Sequence, residues 1–168
     1  IQPPSGRSSE AGKMNTAVGS KSSYTNTTGY FNSSVGYRTL YSNTTGYENT
    51  SVGCEALYSN TTGDRNTGLG YRALFQNVTS NDNTGIGWGA MSVNSPGSSN
   101  VAVGSWALNN DSVGGSQNTA VGLSAMRYNK TGGNNVAVGW QSLSNNTTAS
   151  RNTAIGGESL TNNISGSG

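Results

Sequence analysis

A 17-residue unit recurs nine times and fills everything after Met14; its clearest form, at 49–65, reads N-T-S-V-G-C-E-A-L-Y-S-N-T-T-G-D-R. The copies begin at Asn15, Asn32, Asn49, Asn66, Asn83, Asn100, Asn118, Asn135 and Asn152. Eight have 17 residues, and the copy from Asn100 to Gln117 has one more, best placed in its Gly114-Gly115 turn. A fixed period of this length signals a solenoid or an array, because so short a unit cannot bury a core alone and must stack on its neighbours. The expected organisation is an arm or leader over 1–14, where Pro3-Pro4 favours extended chain, then nine coils over 15–168. A start at Ile1 rather than Met reads as a processed or partial product.

Within the unit, position 1 is Asn and position 5 is Gly in every copy. Glycine turns the backbone through positive φ without steric cost, so position 5 reads as the corner of each coil. Position 2 is mostly Thr, position 3 is Ala, Ser or Gly, and position 4 is always aliphatic and mostly β-branched. Positions 2 to 4 therefore read as a short strand, with the position-4 side chain expected to point inward. Position 8 is small and position 9 is Leu or Met, except in the first copy, where Ser22 and Ser23 stand there. An atypical end repeat is expected where an array is capped. Positions 6 to 10 fit a second strand or a single helical turn, and positions 11 to 16 carry turn chemistry. The fold class that follows is all-β, a parallel β-solenoid (β-roll or β-helix) of nine coils. Its core is thin, so stacked Asn amides are expected to bond coil to coil, and lateral or trimeric assembly is an open option.

Composition narrows the function classes. Only 31% of residues are hydrophobic and 10% charged, which resembles disorder, yet disordered chains are usually rich in charge and Pro and this one is not. The net charge of +2 is spread thinly, without the clustered basic footprint that nucleic acid requires. No apolar stretch approaches a membrane span. With no His there is no His-based triad or common zinc site, and the seven acids do not recur at one position. The chain therefore reads as a non-enzyme with no cofactor. Cys54 has no partner for an internal disulfide and reads as a tolerated substitution.

Three columns carry candidate chemistry. At position 12, Asn26, Asn43, Asn60, Asn77, Asn129, Asn146 and Asn163 each begin an N-x-[ST] sequon on what reads as an exposed turn. Stacking would turn them into a column of covalent glycans; the bland alternative is that Asn-Thr-Thr-Gly is only turn chemistry. Aromatics form the second column, with Tyr24, Tyr41, Tyr58 and Phe75 at position 10 and Tyr37, Tyr71, Trp88 and Trp140 at position 6. These fit stacking along the rod, a subunit interface, or sugar binding against the rings. The third is the position-2 column of Thr16, Thr50, Thr67, Thr84, Thr119 and Thr153. Regular Thr arrays on a flat solenoid face can bind ice, but with Asn and small residues as the expected neighbours this one reads as ordinary strand composition.

At N-T-A-V-G, A-L and Y-S-N-T-T-G, over Asn15 to Gly168, the sequence resembles the shaft repeats of phage tail-fibre-like and bacterial surface-fibre proteins. It is more distantly similar to the N-S-V-A-[IV]-G repeats in the heads of trimeric autotransporter adhesins. That resemblance implies a left-handed, trimeric β-roll used for attachment, although the period here is longer. The expected function is a structural subunit of an extracellular or virion fibre, with itself as partner in a head-to-tail filament or a trimer. The alternative is an adhesin or receptor-binding shaft whose aromatic stripe holds a surface glycan.

Overall fold

The computed structural model describes residues 14–93, 97–109 and 115–167. The expected N-terminal arm lies almost wholly outside them. Among the described residues nine three-residue strands form one all-parallel sheet in strict sequence order. They are β1 (Thr16–Val18), β2 (Ser33–Val35), β3 (Thr50–Val52), β4 (Thr67–Leu69), β5 (Thr84–Ile86), β6 (Val101–Val103), β7 (Thr119–Val121), β8 (Val136–Val138) and β9 (Thr153–Ile155). Each strand pairs with its equivalent one repeat away, so Thr50 faces Thr67 and Val52 faces Leu69. The chain is a parallel β-solenoid with one strand per coil.

The backbone ladder runs far beyond the strands. The Thr16 amide donates to Asn32 O at 2.8 Å, and the same bond measures 2.8 Å at Ser33, Thr50, Thr67, Thr84, Val101, Thr119 and Val136. At the corner, from Gly36 onward, the position-5 glycine amide donates to the position-4 carbonyl of the preceding coil; Gly53 reaches Val35 O at 2.9 Å and Gly70 reaches Val52 O at 2.8 Å. Since every buried main-chain donor needs an acceptor, this inter-coil bonding compensates for a thin core.

Positions 6 to 10 form neither a second strand nor a helical turn. They make tight turns, closed by Ala73 N–H to Gly70 O at 3.4 Å and Asn77 N–H to Leu74 O at 3.1 Å. Position 7 has positive φ, as at Arg38 (52°), Glu55 (58°) and Arg72 (54°), and so does position 9, as at Leu40 (48°), Leu57 (51°) and Leu74 (55°). This is the third residue of a turn that normally asks for Gly or Asn. The alternation aims successive amides in opposite directions: Arg72 N–H bonds back to Cys54 O and Leu74 N–H forward to Ala90 O, both at 3.0 Å. Left-handed conformation costs an L-residue roughly 1–2 kcal/mol, and each bond to a neighbouring coil offsets part of it.

The strand's inward face is the reverse of the sequence expectation. Position 3 is buried: Ser34, Ser51, Ala102, Ala120 and Ala137 are all at 0% exposure. Position 4 points out, with Val18 at 55%, Val35 at 40%, Val52 at 41% and Ile155 at 72%. Successive strand residues face opposite sides, so positions 2 and 4 share the solvent face and position 3 alone enters the coil. The interior is too narrow for more. A Cβ added to Gly85 would sit 3.1 Å from Leu74 Cγ, and one on Gly68 would sit 3.3 Å from Leu57 Cγ. The position-9 side chain of one coil thus packs under position 3 of the next. Leu40, Leu57, Leu74, Met91, Met126 and Leu143 are fully buried with the position-8 alanines beside them. At the first coil hydroxyls replace this apolar column: Ser22 Oγ lies 2.6 Å from Ser34 Oγ and 3.0 Å from Thr39 Oγ1, and Ser23 Oγ lies 2.8 Å from Ser34 Oγ.

Candidate functional site

The position-12 asparagines are not on an exposed turn. Asn43, Asn60, Asn77 and Asn146 are at 0% exposure and Asn129 at 3%. Asn60 Nδ2 donates to Asn43 Oδ1 and to Gly63 O, both at 3.0 Å, and Asn60 Oδ1 accepts from Asn77 Nδ2 at 3.1 Å. Asn146 Nδ2 repeats the pattern with Asn129 Oδ1 at 2.8 Å and Ala149 O at 2.9 Å, and Asn129 Nδ2 reaches Gly132 O at 2.8 Å. Only Asn26 and Asn163, in the outermost described coils, are half-exposed. Their Nδ2 groups also close on Gly29 O and Gly166 O at 3.0 Å. At Asn43, Asn60, Asn77 and Asn146 the nitrogen that would carry a sugar is buried and donates to two acceptors, so a glycan at those four positions has no room in this fold. The turn chemistry of Asn-Thr-Thr-Gly is real, but the Asn turns inward, where its amide bridges three adjacent coils.

A second amide column, at position 1, behaves as expected. Asn49 Nδ2 donates to Asn32 Oδ1 at 3.1 Å and to Gly63 O at 2.8 Å, while its backbone N–H donates to Asn32 Oδ1 at 3.0 Å. Asn66 and Asn135 repeat this on Asn49 and Asn118. The interior of each coil is therefore half apolar and half a pair of amide ladders.

The position-10 aromatics stack along the rod. Ring centroids are 5.3 Å apart for Tyr24–Tyr41, 5.1 Å for Tyr41–Tyr58 and 5.1 Å for Tyr58–Phe75, with interplanar angles of 6°, 5° and 13°. At position 6, Tyr71 and Trp88 stack at 5.9 Å and 12°. Tyr37 lies beside the Arg38 guanidinium at 5.1 Å, and Trp140 stands 48% exposed. The structure adds members that the column search missed. Tyr30 and Tyr47, both at position 16, stack at 4.9 Å and 2°. Trp106 meets Trp88 edge-on at 4.3 Å and 83°. It sits at position 7, one residue off the aromatic column, and its positive φ of 58° turns it into line. Gly89 makes this possible, since a Cβ there would sit 3.2 Å from the Trp106 ring.

These rings frame a notch of about 260 Å³ lined by Phe75, Trp88, Gly89, Ser92 and Trp106, with Arg72 and Gln76 at its edge. In the fifth coil positions 7 and 10 are Gly89 and Ser92, so one rung of the aromatic wall is missing there. Two arginines on the coil surface form ion pairs. Arg65 grips Asp82 through two bonds of 2.7 and 3.1 Å and reaches Tyr47 Oη at 3.1 Å; Arg72 Nε meets Glu55 Oε2 at 2.8 Å. The Arg65 guanidinium holds the Asp82 carboxyl below its ordinary range. Both partners are more than 40% exposed, so the pair contributes little to stability. Among the described residues no cluster of metal-ligating side chains occurs, and no helix is long and apolar enough to cross a membrane.

No protein-family model, curated protein or solved structure matches the chain.

Proposed function

We propose that the chain is a rod-forming structural unit of an extracellular or virion fibre, assembled by stacking coil on coil. One observation carries this reading: the main-chain donors and acceptors at positions 2 and 5 recur in the same register from coil to coil. A solenoid whose two axial faces complement each other is extended by a second copy without any new chemistry. Among the described residues β1 and β9 are the outermost strands, and an unpaired strand edge is a template for another chain. Joining β9 of one copy to β1 of the next is a heterologous contact, which grows into a filament when its rotation does not close.

Electron microscopy of the full chain tests this. Rods with an axial repeat of roughly 43 Å, nine steps of about 4.8 Å, are the expected result. Monodisperse single particles at every concentration, with both outer coils covered by the chain's own residues, would overturn it.

The notch supports a second reading, an attachment shaft that holds a surface glycan. Its aromatic walls with Arg72, Gln76 and Ser92 beside them match the mix of apolar surface and a few polar groups that small-ligand sites use. Saturable binding on a glycan array, lost in Trp88→Ala and retained in Trp140→Ala, is the outcome this reading requires.

A further inference from the structure

We infer that the outward face of the nine-stranded sheet is an ice-binding surface. The face consists of positions 2 and 4 of every coil. Position 2 is Thr at six coils and Ser33, Val101 and Val136 at the others; position 4 is Val at six and Leu69, Ile86 and Ile155 at the rest. Along the sequence the Thr column stands among Asn and small residues. In the folded coil those neighbours, positions 1 and 3, both point inward. What lies beside each Thr on the surface is instead a Val or its equivalent. The exposed array is two parallel columns, hydroxyl beside methyl at seven of the nine coils, with no charged, aromatic or glycine residue in it.

Three features of the array select its occupant. First, it is little twisted. Sheets normally twist by roughly 20–25° per strand, whereas the stacked rings carried by successive coils are inclined by 6°, 5° and 13° along Tyr24–Tyr41–Tyr58–Phe75, 12° at Tyr71–Trp88 and 2° at Tyr30–Tyr47. The inter-coil bond at position 2 is 2.8 Å at all eight steps. The side chains therefore form a lattice with one repeat along its whole length. Second, the hydroxyls are unused. Thr25, Thr27, Thr44 and Thr61, elsewhere on the coil, each donate to a carbonyl of the next coil at 2.7 to 3.1 Å. Among the described residues, Thr50, Thr67, Thr84 and Thr119 make no such side-chain bond, so their donors and acceptors face water. Third, the area is wrong for a protein partner. With about 43 Å of length and roughly 10 Å of width, the face offers about 400 Å². A stable protein interface uses about 800 Å² per partner.

A rigid, periodic array is best used by a partner that is itself rigid and periodic. Each Thr–Val pair binds weakly, but all coils engage a crystal together without further ordering cost, as in any multivalent contact. The methyls confine first-shell water and the hydroxyls anchor it, so the array holds water in the arrangement a growing ice surface presents. The face runs along the side of the rod, so this inference stands whether or not the ends stack.

The test uses the fluorescently labelled full chain and a growing ice hemisphere, with ice recrystallisation as a second readout. Adsorption of the folded chain to ice is the expected result. Val52→Lys and Ile86→Lys place a charge on the face without entering the core, and each is expected to raise the concentration needed by at least tenfold. Thr62→Lys, exposed on the turn at position 14 and away from both the sheet face and the notch, is expected to match the parent chain. Circular dichroism melts show that the variants are folded. Exclusion of the folded parent chain from ice overturns the inference. So does equal activity of the Lys variants, or sedimentation showing that the parent chain buries this face against a second copy at the concentrations assayed.

Discussion

The position-12 amide shows how much one residue holds when its environment repeats. Asn60 donates twice and accepts once, and each of its partners is itself buried. Asn60→Ala strands Asn77 Nδ2 and the acceptors Asn43 Oδ1 and Gly63 O on one or more of their bonds. With about 1–3 kcal/mol for a buried group left unsatisfied, a loss of about 2–4 kcal/mol is expected in urea unfolding, and a loss below ~1 kcal/mol would show that water replaces the amide. The glycines divide in the same way. At Gly53 the φ of 123° is closed to other residues and an added Cβ would lie 2.6 Å from Gly70 O, on backbone that cannot yield. Gly53→Ala is expected to cost about 3 kcal/mol or more, combining strain and overlap. At Gly63 an added Cβ is equally crowded, 2.4 Å from Asn60 Oδ1 and 2.5 Å from Ser80 O. Yet Ser80 and Ala149 occupy the same position in other coils. Gly63→Ala is therefore expected to cost only about 1 kcal/mol, within the ordinary range for a point change. Thermal melts of the two variants side by side check the contrast.

At the scale of one coil, stability is a nearest-neighbour property. Leu57 is enclosed by its own coil and by position 3 of the next, Gly68, with nothing larger to fill its space. Leu57→Ala is expected to cost about 2–5 kcal/mol. Because a stacked array adds up from local interfaces, the damage should be local as well. Hydrogen exchange is expected to lose protection around residues 39–74 while amides beyond residue 118 keep theirs. A uniform loss along the chain would mean that the solenoid unfolds as one unit. The coil's second half could not be assigned from the sequence, and the reason is specific. Turns with positive φ are recognised by Gly or Asn, whereas positions 7 and 9 hold Arg, Glu, Leu and Met in most copies. The bonds that stabilise those conformations come from neighbouring coils, which no local window contains.

For the whole molecule, in-register stacking with a few degrees of twist predicts a straight rod rather than a supercoiled one. Fibre diffraction from aligned material is expected to give a strong meridional reflection near 4.8 Å and no layer lines of short pitch. A pitch of only a few coils would contradict the stacking geometry. The straightness has a visible source. Face-to-face rings 4.9–5.3 Å apart and amide columns bonded at every step resist rotation between coils, and side-chain ladders are the recognised way to hold a sheet flat.

The sequence by itself determined the period, the parallel solenoid, the Gly corner at position 5, the buried Leu column and the position-1 amide ladder. Each is set by a residue that repeats at one spacing and has one physical use there. Tertiary structure alone decided which way the strand faces. In three residues the alternation is satisfied by either face, and an aliphatic residue at position 4 reads as core until the closed coil shows that its interior admits only Ala, Ser or Gly at position 3. The same closure turned the position-12 Asn inward, where an N-x-[ST] triplet and a buried amide ladder are the same letters. It also left Thr and Val side by side on the exterior, because the width of the coil, which no single repeat contains, settles what is inside and what is left for the surface.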